Sequence, residues 1–92
     1  MNLTAAIVIP ENVLTQELEG ETILLNLDTD TYHGLDDVGT RIWQLLNEHK
    51  TIGAVLNQMI SEYDVSEDIL RHDLIKLSND LLEAGLLQLE PA

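Results

Sequence analysis

Hydrophobic and polar residues alternate at a period near two through the first third of the chain, which is typical of β-strands. The pattern predicts strands over Val13–Leu18, Glu21–Leu27 and Thr31–Leu35. Turn residues separate them at Glu19–Gly20 and Asp28–Asp30, because glycine accepts a positive φ and aspartate side chains bond nearby backbone amides. We therefore expect a small antiparallel sheet of three strands joined by tight turns.

The same alternation assigns side chains to faces of this sheet. Leu14, Gln16 and Leu18 share one side of the first strand, and the second strand places Ile23, Leu25 and Leu27 together. Within residues 1–12, Met1–Val8 is apolar without a clear period, and Pro10 interrupts the segment. That segment is therefore expected to be either flexible or an extra strand.

From Asp36 onward the hydrophobic period changes to 3.6, which predicts helices. The first helix begins at Asp36 or Asp37, and Thr51 and Ser66 are candidate caps for a second and a third. The third helix runs to about Ala84, before Gly85, and Leu86–Leu89 is expected to be either a short terminal strand or an extension. The predicted fold class is α+β, a three-stranded antiparallel sheet followed by three helices, similar to a winged helix-turn-helix. We expect one domain over residues 1–92.

The third helix carries two apolar stripes when it is drawn at about 100° per residue. The first stripe suits a core-facing side and consists of Leu70, Leu74, Leu77 and Leu81. A second stripe, Ile75 and Leu82, lies about 100–120° further round, with Arg71 and Ser78 between the two. The second stripe either packs on the other helices or lines a groove.

The net charge of the chain indicates which classes of molecule it can bind. The 92 residues include 17 acidic against four basic side chains, for a formal charge of −13. Such a field repels nucleic acids and anionic lipid and favours neutral or basic partners. No apolar run approaches the ~20 residues of a membrane span. We expect a soluble, cytoplasmic protein that binds neither nucleic acid nor membrane.

Catalytic and metal-binding patterns are scarce. The chain has no cysteine, and its histidines, His33, His49 and His72, lack the spacing of a helical metal pair. A calcium loop starting at Asp28 fails, because its sixth position is histidine and its twelfth is Gly39. No phosphate-binding or nucleophile-elbow motif occurs. We therefore expect no catalytic residue, no metal site, no cofactor and no enzymatic activity.

The winged-helix likeness raises DNA binding as an alternative function. The third helix opposes it, because phosphate neutralisation supplies most non-specific affinity for DNA. That helix has two fixed positive charges, Arg71 and Lys76, against five acids: Glu67, Asp68, Asp73, Asp80 and Glu83. A winged-helix regulator is therefore disfavoured.

An ordered set of short motifs resembles the PqqD-like family, whose members are also called RiPP recognition elements. The set consists of GETILLNL at Gly20–Leu27, TYHGL at Thr31–Leu35, GTRIWQLL at Gly39–Leu46, TIGAVL at Thr51–Leu56, Tyr63–Val65, and AGL at Ala84–Leu86. The similarity spans roughly residues 13–89. His33 departs from the family pattern without disturbing the match.

The resemblance implies a function in peptide binding. Such domains hold the leader region of a ribosomally made precursor peptide as an added strand, and they bring it to a separate modifying enzyme or leader protease. A freestanding copy resembles the B1 component of lasso-peptide biosynthesis, with PqqD proper, which serves a radical SAM enzyme, as the alternative. A domain that only docks on an enzyme is a further alternative. The implied peptide-binding residues are Thr31, Tyr32, His33, Gly34 and Leu35 on the edge strand, and Arg71, Ile75, Ser78 and Leu82 on the helix.

Overall fold

The computed structural model describes residues 2–90 as two small sheets and three helices. The elements are β1 Ala6–Val8, β2 Val13–Leu18, β3 Glu21–Asn26, β4 Thr31–Leu35, α1 Asp37–Glu48, α2 Ile52–Glu62, α3 Glu67–Glu83 and β5 Gln88–Glu90. The predicted α+β class and its order of three strands then three helices are confirmed. Met1, Pro91 and Ala92 of the predicted domain lie outside the described residues.

The three helices begin at the predicted caps. Asp36 caps α1 by accepting from the Gly39 N–H at 2.8 Å, and Thr51 caps α2 by accepting from Ala54. Ser66 caps α3 in the same way. Gly85 follows α3 with φ +72°, a conformation in which glycine avoids the steric cost of a side chain.

Strands β2, β3 and β4 form an antiparallel sheet in that order, so β2 and β4 are its edges. The turn between β2 and β3 has φ 52° at Glu19 and 84° at Gly20. Two positive φ values identify the type of two-residue turn whose twist suits a hairpin. The turn fixes the register in which Leu14 lies opposite Leu25, and Leu25 in turn lies opposite Tyr32.

The segment 1–12, whose state the sequence left open, contains a strand. β1 pairs antiparallel with β5 in a separate two-stranded sheet, with Ile7 opposite Leu89. The Ile7 N–H also donates to the Lys50 carbonyl at 2.8 Å, which ties this sheet to the connection between α1 and α2.

Within residues 2–90, no helix is both long and apolar enough to cross a membrane.

The helices cover one face of the three-stranded sheet. Trp43 Nε1 of α1 donates to Thr15 Oγ1 at 3.2 Å, so Thr15 lies on the face of the sheet that the helices cover. Because side chains alternate along a strand, Leu14 lies on the opposite face. On β3 the buried residues are Thr22, Leu24 and Asn26, while Ile23 is exposed. The residues Ile23, Leu25 and Leu27 do share a face, as predicted, but that face points away from the helices. The core consists mainly of Leu24, Leu35, Ile42, Trp43, Leu45, Leu46, Ile52, Val55, Leu56, Met59, Leu70, Leu74, Leu81, Leu86 and Leu87.

Buried Asn26 joins the sheet to the end of α3. Its Nδ2 donates to the carbonyls of Ala84 and Gly85, each at 3.2 Å. Its Oδ1 accepts from Asn12 Nδ2 and from the Asp28 N–H, both at 2.9 Å. The side chain thereby hydrogen-bonds a backbone N–H in the turn after β3 and two backbone carbonyls at the end of α3. Leaving such backbone groups buried without a partner would cost folding free energy.

A bidentate ion pair between Arg41 and Glu62 joins α1 to α2. Arg41 Nε donates to Glu62 Oε1 at 2.7 Å, and Arg41 Nη2 donates to Oε2 at 2.6 Å. These bonds, together with one from Gln58, lower the pKa of the Glu62 carboxyl to about 2. Because this geometry is bidentate, the pair is stronger than a typical surface ion pair.

The ion pair predicts a specific dependence of stability on pH. The pKa of Glu62 is lower in the folded protein than in the unfolded chain, so protonating this carboxyl favours unfolding. The ion pair therefore contributes fully to the free energy of unfolding above about pH 4.5, and this contribution is lost as the pH falls towards 2. We expect Glu62→Gln to be less stable than the parent at pH 7, with the difference vanishing near pH 2. Urea denaturation across this range measures the difference. Glu67→Gln, which breaks the exposed 3.3 Å pair with Arg71, should show a much smaller one; equal differences for both variants would contradict the prediction.

Candidate functional site

The free edge of β4 is the first component of the site. Among the described residues, β4 pairs with β3 alone. The Leu27 N–H donates to the Asn12 carbonyl at 2.9 Å, so the odd-numbered residues of β3 direct their backbone groups towards β2. The hydrogen-bonded pairs of β3 with β4 are then Thr22 with Leu35, Leu24 with His33 and Asn26 with Thr31.

That alternation leaves Tyr32 and Gly34 as the residues of β4 whose N–H and C=O groups point to the free edge. Both residues are exposed. An edge strand with unpaired backbone groups can accept another extended chain as an added strand. The local arrangement therefore offers two donors and two acceptors, spaced as a partner strand requires.

A groove of about 500 Å³ lies beside this edge. It runs between β4, the first turns of α1 and one side of α3. The lining residues are His33, Gly34 and Leu35 of β4, Asp36, Val38, Gly39 and Ile42 from the start of α1, and Asp73, Lys76, Leu77 and Asp80 of α3.

The apolar part of the groove follows from the way α1 leaves β4. Leu35 and Ile42 are almost fully buried, and Leu77 packs against the same core. Gly39 permits this close approach, because a side-chain carbon there would lie 3.3 Å from Leu35 Cβ and 3.2 Å from Asp36 Oδ1. The groove therefore presents aliphatic side chains between a strand edge and a helix, where a side chain of a bound peptide can be buried.

The rim of the groove is acidic. Asp36, Asp73 and Asp80 line it with Lys76 as the one fixed positive charge among the lining residues. The guanidinium groups of the protein lie outside this lining: Arg41 pairs with Glu62, and Arg71 pairs with Glu67. The rim therefore favours a ligand that carries positive charge near its apolar anchor.

The five predicted edge residues divide between the groove and its surroundings. His33, Gly34 and Leu35 line the groove. Tyr32 is 69 % exposed, and its side chain lies on the sheet face opposite the helices. Thr31 is exposed at the start of β4.

The four predicted helix residues do not line this groove. Arg71 and Ile75 line a separate depression on α3, Ser78 is fully buried, and Leu82 packs partly against the core. They occupy one flank of the leucine stripe, about 80–140° from Leu70, whereas the α3 residues that line the groove occupy the other flank. Contact of a peptide with these four side chains stays a prediction.

The sequence gives only an ambiguous signal for the α3 residues that line this groove. Asp73, Lys76 and Asp80 lie about 60–120° from Leu70 on the flank that has no second apolar stripe. Choosing between the flanks requires knowing on which side of α3 the strand β4 lies, and a helical wheel does not contain that information. The apolar stripe of Ile75 and Leu82 favoured the opposite flank.

The described part of the chain contains no candidate metal site. Among residues 2–90, no three histidine, aspartate or glutamate side chains are grouped so that they could hold a metal ion. The arrangement of the site, a free strand edge beside an apolar groove with an acidic rim, is suited to holding an extended peptide.

Comparisons with known proteins agree with this geometry. The family model of coenzyme PQQ synthesis protein D (PqqD) matches residues 21–87. The chain is similar to the solved structure "TbiB1 in Complex with the TbiA(beta) Leader Peptide", with 36% identity, a TM-score of 0.80, and coverage of 87% of this chain and 93% of that one. The structure "Lasso peptide synthetase B1 complexed with the leader peptide" shares the fold at 24% identity and TM-score 0.78, covering 91% and 99% of the two chains. No curated protein sequence matches the chain.

Proposed function

Because the chain belongs to the PqqD family, we propose that it binds the leader region of a ribosomally synthesised precursor peptide as an added strand on β4. The observation that carries the proposal is the unpaired edge of β4, with the outward backbone groups of Tyr32 and Gly34, beside a groove of about 500 Å³. Backbone pairing supplies affinity that tolerates sequence change, while the groove selects side chains.

The protein is proposed to act by presenting the peptide and not by transforming it. A separate modifying enzyme or leader protease would carry out the chemistry. Support comes from the groove, whose lining is mainly aliphatic side chains and carboxylates with His33 and Lys76, and from the described residues, which contain no group of side chains that could hold a metal.

Lasso-peptide biosynthesis is the favoured setting. TbiB1, at 36% identity, was solved with a leader peptide, and the second structure of the same fold is a lasso peptide synthetase B1. The alternative, PqqD proper serving a radical SAM enzyme, is supported by the description of the family model. The comparisons do not favour it over the lasso setting.

Titration with labelled TbiA(beta) leader peptide tests the proposal directly, with a scrambled peptide as the control. Peptides selected from a displayed random library of extended sequences extend the test beyond one relative's leader. We expect saturable binding, amide shifts concentrated in β4 and the groove side of α3, and recovery of the peptide with unchanged mass. Shifts centred on Thr51–Ile60, or peptide turnover by the purified protein, would contradict the proposal.

Duplex DNA is expected to bind weakly and without sequence preference even at low salt. α3, the helix that would enter the major groove in a winged-helix regulator, carries five acids and two fixed positive charges, one of them paired with Glu67. Few phosphate counterions would be released on binding, so little affinity is available. A defined duplex bound at sub-micromolar concentration near physiological salt would revive the regulator alternative.

A further inference from the structure

The three-stranded sheet has a second free edge, on β2. Among the described residues, β2 pairs with β3 alone. The pairing runs through all six residues, Val13–Leu18, without the extra residue of a β-bulge. Every residue of β2 after Val13 is exposed, so no other element covers this edge. The free edge of β2 is therefore longer than that of β4, which has five residues.

The register identifies the backbone groups that this edge offers. The Leu27 N–H donates to the Asn12 carbonyl, so the even-numbered residues of β2 exchange hydrogen bonds with β3. The N–H and C=O groups of Thr15 and Glu17 consequently point away from the sheet. Two donors and two acceptors are thus available to an added strand on β2.

The free edge of β2 carries little of the protection that natural edges have. Lysines, prolines and bulges ordinarily prevent an edge from pairing with other chains, and β2 contains none of them. Its one protecting feature is the Glu17 carboxylate, which lies on the helix side, where Gln44 Nε2 donates to it at 3.4 Å. An inward-pointing charge of this kind opposes an uncharged strand but accepts one that places a cation opposite it.

Glu17 has no positive partner among the described residues. The two ion pairs there are Arg41 with Glu62 and Arg71 with Glu67. A second copy of this chain could not supply the cation from its own β2, because no Lys or Arg precedes Arg41. Charge complementarity therefore favours a different chain on this edge.

The opposite face of β2 adds an apolar requirement. Leu14 and Leu18 lie on the face away from the helices and are 52 % and 54 % exposed. Residues directly opposite each other on neighbouring strands share a face and contact one another. An added strand would therefore place apolar side chains opposite the two leucines and a basic side chain opposite Glu17.

We infer that the free edge of β2 is a second strand-addition site, which binds an extended segment of another chain with a defined five-residue pattern. In an antiparallel segment the pattern is apolar, basic, any, any, apolar, because its residues lie opposite Leu18, Glu17, Gln16, Thr15 and Leu14 in turn. In a parallel segment the pattern is reversed. This site is independent of the peptide-binding site proposed on β4.

Selection from a displayed random library of extended sequences tests the inference. The Gly34→Pro protein serves as bait, because that variant removes a donor from the free edge of β4 and leaves β2 unchanged. We expect enrichment of the five-residue pattern, with Lys or Arg at its second or fourth position. The same selection with Gly34→Pro/Glu17→Lys as bait should enrich Asp or Glu at that position instead.

Variants of Thr15 then locate the binding of an enriched peptide. Thr15→Pro removes an outward N–H from an edge strand, where proline is tolerated, and should weaken binding at least about tenfold. Thr15→Ala is the matched control, since it also loses the hydrogen bond from Trp43 but keeps the N–H, and it should bind at least about fivefold more tightly than the proline variant. Circular dichroism checks that both variants are folded. Both should bind the TbiA(beta) leader peptide within about twofold of the parent.

Three results would each overturn the inference. They are a selection without the five-residue pattern, a basic preference that survives Glu17→Lys, and equal binding of an enriched peptide by folded Thr15→Pro and Thr15→Ala. If Thr15→Pro does not fold, the charge reversal at Glu17 decides the question by itself. Binding of enriched peptides at β2 without binding of the leader would leave this site standing and remove the proposal for β4.

Discussion

Replacing Gly34 with proline is expected to weaken binding of the TbiA(beta) leader peptide by about tenfold to a hundredfold, or roughly 1.4–2.8 kcal/mol. Proline removes the Gly34 N–H, one of the two donors that β4 directs to its free edge. The peptide carbonyl that should accept this bond would be left unpaired beside the groove, and the proline ring would occupy the place of the added strand.

The structure explains why this variant should still fold. Gly34 lies opposite Ile23 in a pair that exchanges no hydrogen bonds, so its N–H contributes nothing to the ladder with β3. Proline is tolerated on edge strands when its nitrogen faces away from the sheet. Circular dichroism and urea denaturation check that the variant keeps the stability needed for the binding measurement.

Gly34→Ala supplies the matched control. A side-chain carbon at Gly34 would meet no atom within 4 Å, so alanine adds one methyl group in open space and keeps the N–H. We expect the alanine variant to bind within about threefold of the parent. If the folded proline variant binds as tightly as the alanine variant, the leader peptide does not pair with β4.

The order of the elements followed from the sequence because the local signals agreed with one another. The change of period near Asp36, the caps Thr51 and Ser66, and the glycine turn at Gly20 each act over a few residues, so they can be identified without tertiary knowledge. The edge position of Thr31–Leu35 came from the family resemblance and was confirmed by the strand order.

The faces of the sheet and the groove wall could not be predicted in the same way. Alternation groups Ile23 with Leu25 but does not say which face the helices cover, and the structure buries Thr22 and Asn26 instead of the more hydrophobic set. The reason lies in long-range contacts, since Asn26 is needed inside to reach Ala84 and Gly85, nearly sixty positions later. These hydrogen bonds from Asn26 also help to fix the position of α3 beside β4, and therefore which flank of α3 lines the groove.

Replacing Asn26 with leucine should therefore damage both stability and the groove. The variant would remove the donor shared by the Ala84 and Gly85 carbonyls and the acceptor of the Asp28 N–H, all at a side chain that is 4 % exposed. Leaving several such groups unpaired is expected to cost about 2–4 kcal/mol, a large share of the stability of a small domain. Urea denaturation at pH 7 measures the loss.

Asn12→Ala is the control for this network, because it removes the Asn12 bonds to Asn26 and Asp28 but leaves the contacts from Asn26 to α3 intact. It should cost about 0.5–1.5 kcal/mol and leave binding of the leader peptide unchanged. Under conditions where Asn26→Leu remains folded, the leader should bind more weakly, because Leu77 and Asp80 lie on the last turns of the helix that Asn26 holds. A folded Asn26→Leu protein with the affinity of the parent would show that β4 alone, and not the spacing between β4 and α3, determines peptide binding.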